Sequence, residues 1–193
     1  MSVLNVAKHV AYHKRCLGLL PSAFQETDLN RMSLGFFTVN SLDMLDRLSS
    51  IPELDREGYI DWIYHCQLSS GGFRGATATI TPESSIYDAV NIPATYFAIA
   101  LLLMLEDDLS RLNRKGALEV LRRSQNEDGS FSPVLIKGER FGEVDVRHCY
   151  CAIAVREMLS PIAPEEDINV SAIVHYLEQC KVCNVYVSLT LGI

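Results

Sequence analysis

Apolar residues recur at helical spacing along most of the chain, and alternating β-branched runs are scarce before the last dozen residues. Because apolar positions three and four apart fall on one face of a helix, this pattern predicts an all-α protein. The predicted helices cover residues 3–20, 30–48, 55–67, 92–105, 113–124, 145–159 and 167–179. The most apolar helix contains residues 96–105, which are too few to cross a membrane, so we expect no membrane span.

A seven-residue unit occurs twice in the chain, with an offset of 58 positions. Residues 67–73 read QLSSGGF and residues 125–131 read QNEDGSF, so both copies fit Q-x3-G-[GS]-F. In each copy we expect a helix to end at Gln, a glycine turn to follow, and Phe to pack under the turn. Such repeats favour stacked helical hairpins, an architecture that serves non-catalytic binding as well as catalysis.

A third copy is due near Gln179, but residues 179–185 contain neither Gly nor Phe. Beyond it, apolar and polar residues alternate with a strand-like period. The apolar positions are Val182, Val185, Val187, Leu189 and Leu191. We therefore divide the chain into a helical domain, 1–181, and a divergent tail, 182–193. We expect the chain to leave its reading frame near Lys181, through an unspliced intron, an alternative exon or an early stop.

Composition narrows the class of protein. With 193 residues and 48% hydrophobic content, the chain has the size and core of one globular domain. Its net charge of −7 and scattered basic residues argue against binding to nucleic acid. The N-terminus lacks the pattern of a secretory signal, so we expect a cytoplasmic protein with reduced cysteines.

Five longer strings carry a family resemblance. They are SLDMLD at 41–46, IDWIY at 60–64, GFRG at 72–75, DDLSR at 107–111 and VRHCYCA at 146–152. Together they resemble protein prenyltransferase β subunits over residues 9–179, and the first and fourth are most similar to the geranylgeranyltransferase type I branch. The resemblance implies an α/α toroid, in which inner and outer helices alternate around an aromatic funnel. This chain would carry about half of that ring.

The resemblance also implies a reaction. A geranylgeranyl group would pass from geranylgeranyl diphosphate to the cysteine of a C-terminal C-a-a-X motif, often with Leu as X. The family works as a heterodimer with a prenyltransferase α subunit on proteins such as small GTPases, and uses Zn²⁺ to activate the thiol. Its zinc ligands and main diphosphate-binding residues belong to later repeats, beyond residue 193. We therefore expect no catalytic residue and no metal ligand in this chain, and no activity from it alone.

The resemblance places residues for the isoprenoid and the peptide on the funnel wall. They are Ser33, Phe36, Phe37, Tyr96, Arg147, His148 and Tyr150. Ser33 is small where the farnesyl branch has a large aromatic residue, which favours the longer lipid. Arg147 and Tyr150 lie three apart and share a helix face, although Arg147 could instead pair with Asp145 or Glu143 on the surface.

Three alternatives stay open at this point. His148 differs from the aromatic residue of some relatives, so a preference for Leu at X is inferred from the family only. Substitute metal sites could be drawn from His148, Cys149 and Cys151, or from His175, Cys180 and Cys183. We consider both weak, because the first two thiols point in different directions and the last pair lacks a second pair. A farnesyltransferase β subunit and a non-catalytic helical-repeat module are the alternative functions.

Overall fold

The computed structural model describes residues 4–18, 20–80, 88–160, 163, 167–182 and 186–187, and within them the chain is mainly helical. The helices are α1 Val6–Leu17, α2 Arg31–Met44, α3 Glu53–His65, α4 Ile92–Met104, α5 Arg114–Ser124, α6 Val146–Leu159 and α7 Val170–Gln179. They confirm the seven predicted helices. A 3-10 segment, Ser22–Asn30, precedes α2 and was not predicted.

The helices form two layers. In the inner layer, α4 packs between α2 and α6. In the outer layer, α1 packs against α2, α3 and α5 flank α4, and α5 also packs against α6. Helix α4 is apolar on nearly every side and has seven buried residues, as expected of a helix enclosed by neighbours. Helix α5 instead buries one apolar face and places Arg122 and Arg123 in solvent.

Polar side chains fix the start of most helices. In α1, α4, α5, α6 and α7 the residue before the helix accepts a hydrogen bond from a backbone N–H of the first turn. These capping residues are Asn5, Asn91, Asn113, Asp145 and Asn169. A side-chain oxygen here satisfies a donor that the helix itself leaves unpaired.

Short strands lie in the segments between helices. Strands β1 Val90–Asn91, β2 Val134–Ile136 and β3 Glu139–Phe141 form an antiparallel sheet in that order. Where the helical domain meets the tail, β4 Lys181–Val182 pairs antiparallel with β5 Tyr186–Val187, in line with the strand-like period. Of the alternating positions, Val185, Leu189 and Leu191 lie outside the described residues. The domain boundary after residue 181 stays a prediction.

Both repeat turns are anchored in the core. Phe73 and Phe131 are 0% exposed and are the largest fully buried side chains of the described residues. Each Phe forms an antiparallel bridge with the Gln that opens its repeat, Gln67 or Gln125. The predicted packing of Phe under the turn is therefore present in both copies.

None of the helices in the described ranges is long and apolar enough to cross a membrane. Cys66, Cys149 and Cys151 are buried free thiols, and Cys16 and Cys180 are half-buried free thiols.

Candidate functional site

Five aromatic side chains from the three inner helices contact one another and form what we call the aromatic wall. They are Phe36 and Phe37 of α2, Tyr96 and Phe97 of α4, and Tyr150 of α6. The wall therefore follows the inner layer across all three consecutive helices.

Phe36 lies at the centre of the aromatic wall. Its ring centroid is 4.8 Å from that of Phe97, 5.5 Å from that of Phe37 and 5.6 Å from that of Tyr96. Tyr96 in turn lies 5.5 Å from Tyr150 in an edge-to-face arrangement. Tilted and edge-to-face pairs at these distances are favourable, because the positive edge of one ring meets the negative face of the next.

Much of this aromatic surface faces solvent. Phe37 is 58% exposed and Tyr150 is 62% exposed, whereas the other three rings are half-buried. Isolated exposed aromatic residues are common on proteins, whereas a contiguous patch of rings is typical of surfaces that bind a ligand or another protein.

The polar groups of the wall are the two tyrosine hydroxyls, which lie 3.2 Å apart and share a hydrogen bond. Burial, and then the contact with Tyr150, raises the pKa of Tyr96 above its ordinary value. The Tyr96 phenol is therefore neutral at physiological pH, and the pair offers hydrogen-bond donors on an otherwise apolar surface.

Ser33 and Arg147 lie one helical turn from aromatic residues of the wall. Ser33 precedes Phe36 and Phe37 by three and four residues, so the three share one side of α2, and Ser33 is half-buried. Arg147 precedes Tyr150 by three residues on α6. The wall therefore has one small polar position at its α2 end and one cation at its α6 end.

The Arg147 guanidinium is paired with Asp145. Nε lies 2.9 Å from Oδ1 and Nη2 lies 3.1 Å from Oδ2, and the Arg147 side chain is 63% exposed. The hydrogen bonds from Arg147 hold the pKa of Asp145 below its usual range. This is the surface pairing that the sequence left open, and a role in ligand binding stays a prediction.

His148 is half-buried and makes none of the ring contacts described for the aromatic wall. Its Nδ1 atom is buried and has no hydrogen-bond partner among the described residues. Burial lowers the pKa of the imidazole, so His148 is neutral at physiological pH. The backbone of Phe131 lies next to it, which places His148 at the second repeat turn.

Phe97 was missed by the sequence reasoning. Its neighbour Tyr96 was predicted, but adjacent residues on a helix differ in direction by about 100° and usually face different surroundings. Here the rings of α2 reach both residues, because Phe36 contacts Tyr96 and Phe97 together. The apolar composition of α4 contained no signal that could separate Phe97 from the core.

The thiols do not form a metal centre in the described part of the chain. Burial raises the pKa of Cys149 and of Cys151 to about 11, so both are neutral thiols rather than thiolates. His175 is paired with Gln179 of its own helix, and Cys183 lies outside the described residues. No group of three or more His, Cys, Asp or Glu side chains in the described ranges could hold a metal ion. The described residues therefore do not fit the Zn²⁺ that the resemblance implies.

Two layers of helices with aromatic residues on the inner layer define a known class of fold. The chain belongs to the prenyltransferase alpha-alpha toroid family, whose domain model matches residues 4–188. The fold is thus part of an α/α toroid, as the sequence predicted.

Particular relatives refine this assignment. The chain is 30% identical to the geranylgeranyl transferase type-1 subunit beta of Dictyostelium discoideum, over 93% of this chain and 55% of that protein. It is 28% identical to the subunit of the same name from Arabidopsis thaliana, over 79% of this chain and 43% of that protein. The chain thus spans about half the length of the curated relatives it matches. Farnesyltransferase beta subunits match it over a smaller share of their own length.

A solved structure agrees with these relatives. The Candida albicans protein geranylgeranyltransferase-I complexed with GGPP superimposes with a TM-score of 0.84 at 25% sequence identity. The similarity covers 97% of this chain and 54% of the Candida chain.

Proposed function

We propose that this chain forms the isoprenoid-binding part of the β subunit of a type I protein geranylgeranyltransferase. That enzyme moves a geranylgeranyl group from geranylgeranyl diphosphate to the cysteine of proteins that end in C-a-a-X, with Leu a frequent X. The aromatic wall is the observation that carries the proposal, because five contacting rings give an exposed apolar surface that suits a branched hydrocarbon chain. The type I relatives and the GGPP complex of the Candida structure point to the same lipid.

Some of these residues would contact the lipid and others the peptide. Phe36 and Phe37 would contact the isoprenoid, together with Tyr96. Ser33 would leave room for the fourth isoprene unit at the α2 end. Arg147, with Tyr150 and His148 on the same helix, would lie on the side of the bound peptide.

The remaining parts of the enzyme would come from outside the described residues. A prenyltransferase α subunit would complete a heterodimer in the cytoplasm, and small GTPases with a C-a-a-X end would be protein substrates. Zn²⁺ would need ligands outside the described residues, since those residues do not supply them. The chain itself would contribute lipid and peptide binding, but no catalytic group.

The test measures lipid binding to the chain co-expressed with an α subunit. Geranylgeranyl diphosphate should bind the unmodified complex more tightly than farnesyl diphosphate. Ser33→Trp should weaken C20 binding by about tenfold or more and C15 binding by less, because the indole would fill space that only the longer lipid needs. Asp43→Trp is the matched control, since Asp43 is an exposed residue of the same helix and both lipids should bind that variant normally.

The same assay decides between the proposal and its alternatives. Tighter binding of the C15 lipid by the unmodified complex would identify a farnesyltransferase β subunit, which is the runner-up because such subunits also match the chain. If both lipids bound equally weakly and Ser33→Trp did not change their affinities, the chain would be a non-catalytic helical-repeat binding module. Prenyl transfer to a C-a-a-Leu peptide, and zinc content, should both be absent from the 193-residue chain alone.

A further inference from the structure

Phe97 is the residue of the aromatic wall that links α4 to Phe37. The ring centroid of Phe97 lies 5.6 Å from that of Phe37 and 4.8 Å from that of Phe36. Within the described part of the chain, the other ring in contact with Phe37 is Phe36, which belongs to the same helix. Phe97 is therefore the ring that holds Phe37 from outside α2.

Phe37 needs such a support because its ring is exposed. An exposed side chain that contacts only its own helix has several rotamers available, and fixing one of them costs conformational entropy. Phe97 is half-buried and meets Phe37 at an interplanar angle of 58° rather than face to face, which is a favourable geometry for two aromatic rings. The Phe97 ring thus stabilises the arrangement in which Phe37 forms part of the wall.

Tyr96 and Phe97 are adjacent on α4 but contact opposite ends of the wall. Their side chains can diverge because neighbouring helix residues differ in direction by about 100°. The Tyr96 ring contacts that of Tyr150 on α6, at 5.5 Å. Phe97 instead contacts Phe37 on α2, and Ser33 lies one helical turn before Phe37. The α2 end of the wall is therefore supported by Phe97, and the α6 end by Tyr96.

We propose that Phe97 makes the wall selective for the length of the isoprenoid, because it holds Phe37 where the fourth isoprene unit packs. This inference rests on the proposed function, in which Ser33 leaves room for that unit at the same end of the wall. A C15 lipid lacks the fourth unit and gains little from Phe37. Phe97 is thus a positioning residue for the longer lipid.

The test measures the affinities of geranylgeranyl diphosphate and farnesyl diphosphate for the chain co-expressed with an α subunit. Phe97→Ala should weaken binding of the C20 lipid about five- to tenfold, which is the contribution of one aromatic contact, and binding of the C15 lipid less than about twofold. Leu103→Ala is the matched control, because Leu103 is an exposed apolar residue of the same helix and both lipids should bind that variant normally.

A second pair of variants separates a positioning role from a direct contact with the lipid. In a chain that already carries Phe37→Ala, the added Phe97→Ala should lower the C20 affinity less than about twofold, because the ring that Phe97 holds is absent. If Phe97 contacted the lipid itself, the second substitution would lower the affinity as much as it does in the unmodified chain. Melting curves recorded in parallel show that each complex is folded.

Each outcome decides the inference. A loss that is confined to the C20 lipid and disappears in the Phe37→Ala chain would support it. An unchanged C20 affinity in Phe97→Ala, an equal loss for both lipids, or a full loss in the Phe37→Ala chain would overturn it, while the C20 preference of the unmodified complex would still support the proposed function. An unmodified complex without that preference would contradict the proposed function, and this inference with it.

Discussion

The two repeat turns, residues 67–73 and 125–131, share a backbone conformation but differ in the hydrogen bonds that their glutamines make to the cap of the following helix. In both, the central glycine has a positive φ, 101° at Gly71 and 90° at Gly129. In both, the second residue donates to the sixth, since the N–H of Leu68 bonds to the Gly72 carbonyl and that of Asn126 to the Ser130 carbonyl, each at 2.8 Å. The Q-x3-G-[GS]-F pattern therefore determines one local structure twice.

The glutamines differ. Gln125 donates to the Asn169 carbonyl at 2.9 Å and accepts from the Asn169 N–H at 2.8 Å. Its side chain therefore makes two hydrogen bonds with the capping residue of α7. Gln67 accepts only a long hydrogen bond, at 3.4 Å, from the N–H of Asn113, and its Nε2 is buried without a partner among the described residues. The first turn has a second bond to the cap of α5, because Asn113 Nδ2 donates to the Ser69 carbonyl at 3.2 Å. The difference between the two motifs therefore lies in the bonds of their glutamines.

The turns also position the inner helices that carry the aromatic wall. At the first turn, the Phe73 N–H donates to the Thr95 hydroxyl at 3.0 Å, and the Phe73 carbonyl accepts from Asn91, the cap of α4. At the second, the backbone of Phe131 lies next to the Cys149 thiol of α6. Thr95 and Cys149 each precede a wall tyrosine in sequence, so both repeat turns lie beside the helix positions that carry Tyr96 and Tyr150.

Removal of the buried Phe rings of the two turns should cause the largest loss of stability. Phe73→Ala and Phe131→Ala should each lower the free energy of unfolding by about 3–5 kcal/mol, because both rings are fully buried and leave cavities. Urea unfolding followed by circular dichroism measures this loss. Phe37→Ala is the control, since that ring is 58% exposed and should cost about 1 kcal/mol or less. Equal losses in all three variants would contradict the anchoring role of the turns.

Adding a methyl group to the central glycines should cost somewhat less. Gly71→Ala and Gly129→Ala should each cost about 3 kcal/mol, because the positive φ is strained for alanine and the added carbon has no room. It would lie 2.3 Å from the backbone of Gly116 at the first turn and 2.1 Å from the Ala172 carbonyl at the second. Thermal melts should show two large decreases.

Gly58→Ala provides the control for the glycine variants. Gly58 lies inside α3 with no atom in the way of a methyl group, so alanine should stabilise the helix by about 0.5–1 kcal/mol. If the Gly129→Ala protein melted at the same temperature as the unmodified chain, the second turn would be able to accommodate a methyl group. Glycine would then not be required at both turns.

The sequence predicted the helices and the turns because both depend on local rules. Apolar spacing placed all seven helices, and the glycine turn with its buried Phe followed from the repeat itself. It missed β1, β2 and β3, since strands of two or three residues leave too few positions for an alternating pattern.

The site was less predictable than the fold. The resemblance supplied Phe36, Tyr96 and Tyr150, which the structure brings together, but Phe97 was invisible within an apolar helix. The sequence could not determine that Arg147 pairs with Asp145, because the partner of a long side chain depends on which groups the tertiary structure brings near it. The two repeat glutamines make hydrogen bonds of different length because each bonds to the start of a later helix. Local sequence rules do not determine where that helix start lies.

Truncating the glutamines should give a smaller and unequal pair of effects. Gln125→Ala should cost about 2 kcal/mol, because it leaves both backbone groups of Asn169 without their partners. Gln67→Ala should cost less than about 1 kcal/mol, because it removes one long bond and also an unpaired buried amide. Urea unfolding of the two variants side by side makes this comparison, and a greater loss for Gln67→Ala would reverse our ranking of the two glutamines.

The smallest expected difference is a dependence on pH that only the second turn has. Asp128 accepts hydrogen bonds from the Ser130 side chain and backbone, which hold the pKa of Asp128 below its ordinary value of 3.8. Ser70 occupies the equivalent position of the first turn and carries no titratable group. Because the folded pKa is the lower one, the stabilisation is complete above the unfolded value and is lost as the pH falls through the folded value.

Asp128→Ser should therefore cost a few tenths of a kcal/mol at pH 6 and less than that at pH 3, a small effect because the carboxylate is exposed to solvent. Urea unfolding at the two pH values measures the change. Ser70→Ala is the control at the first turn, and its cost should be the same at both pH values because residues 67–73 contain no acidic or basic side chain. If the cost of Asp128→Ser were the same at both pH values, the ionisation of the Asp128 carboxyl group would not distinguish the two turns.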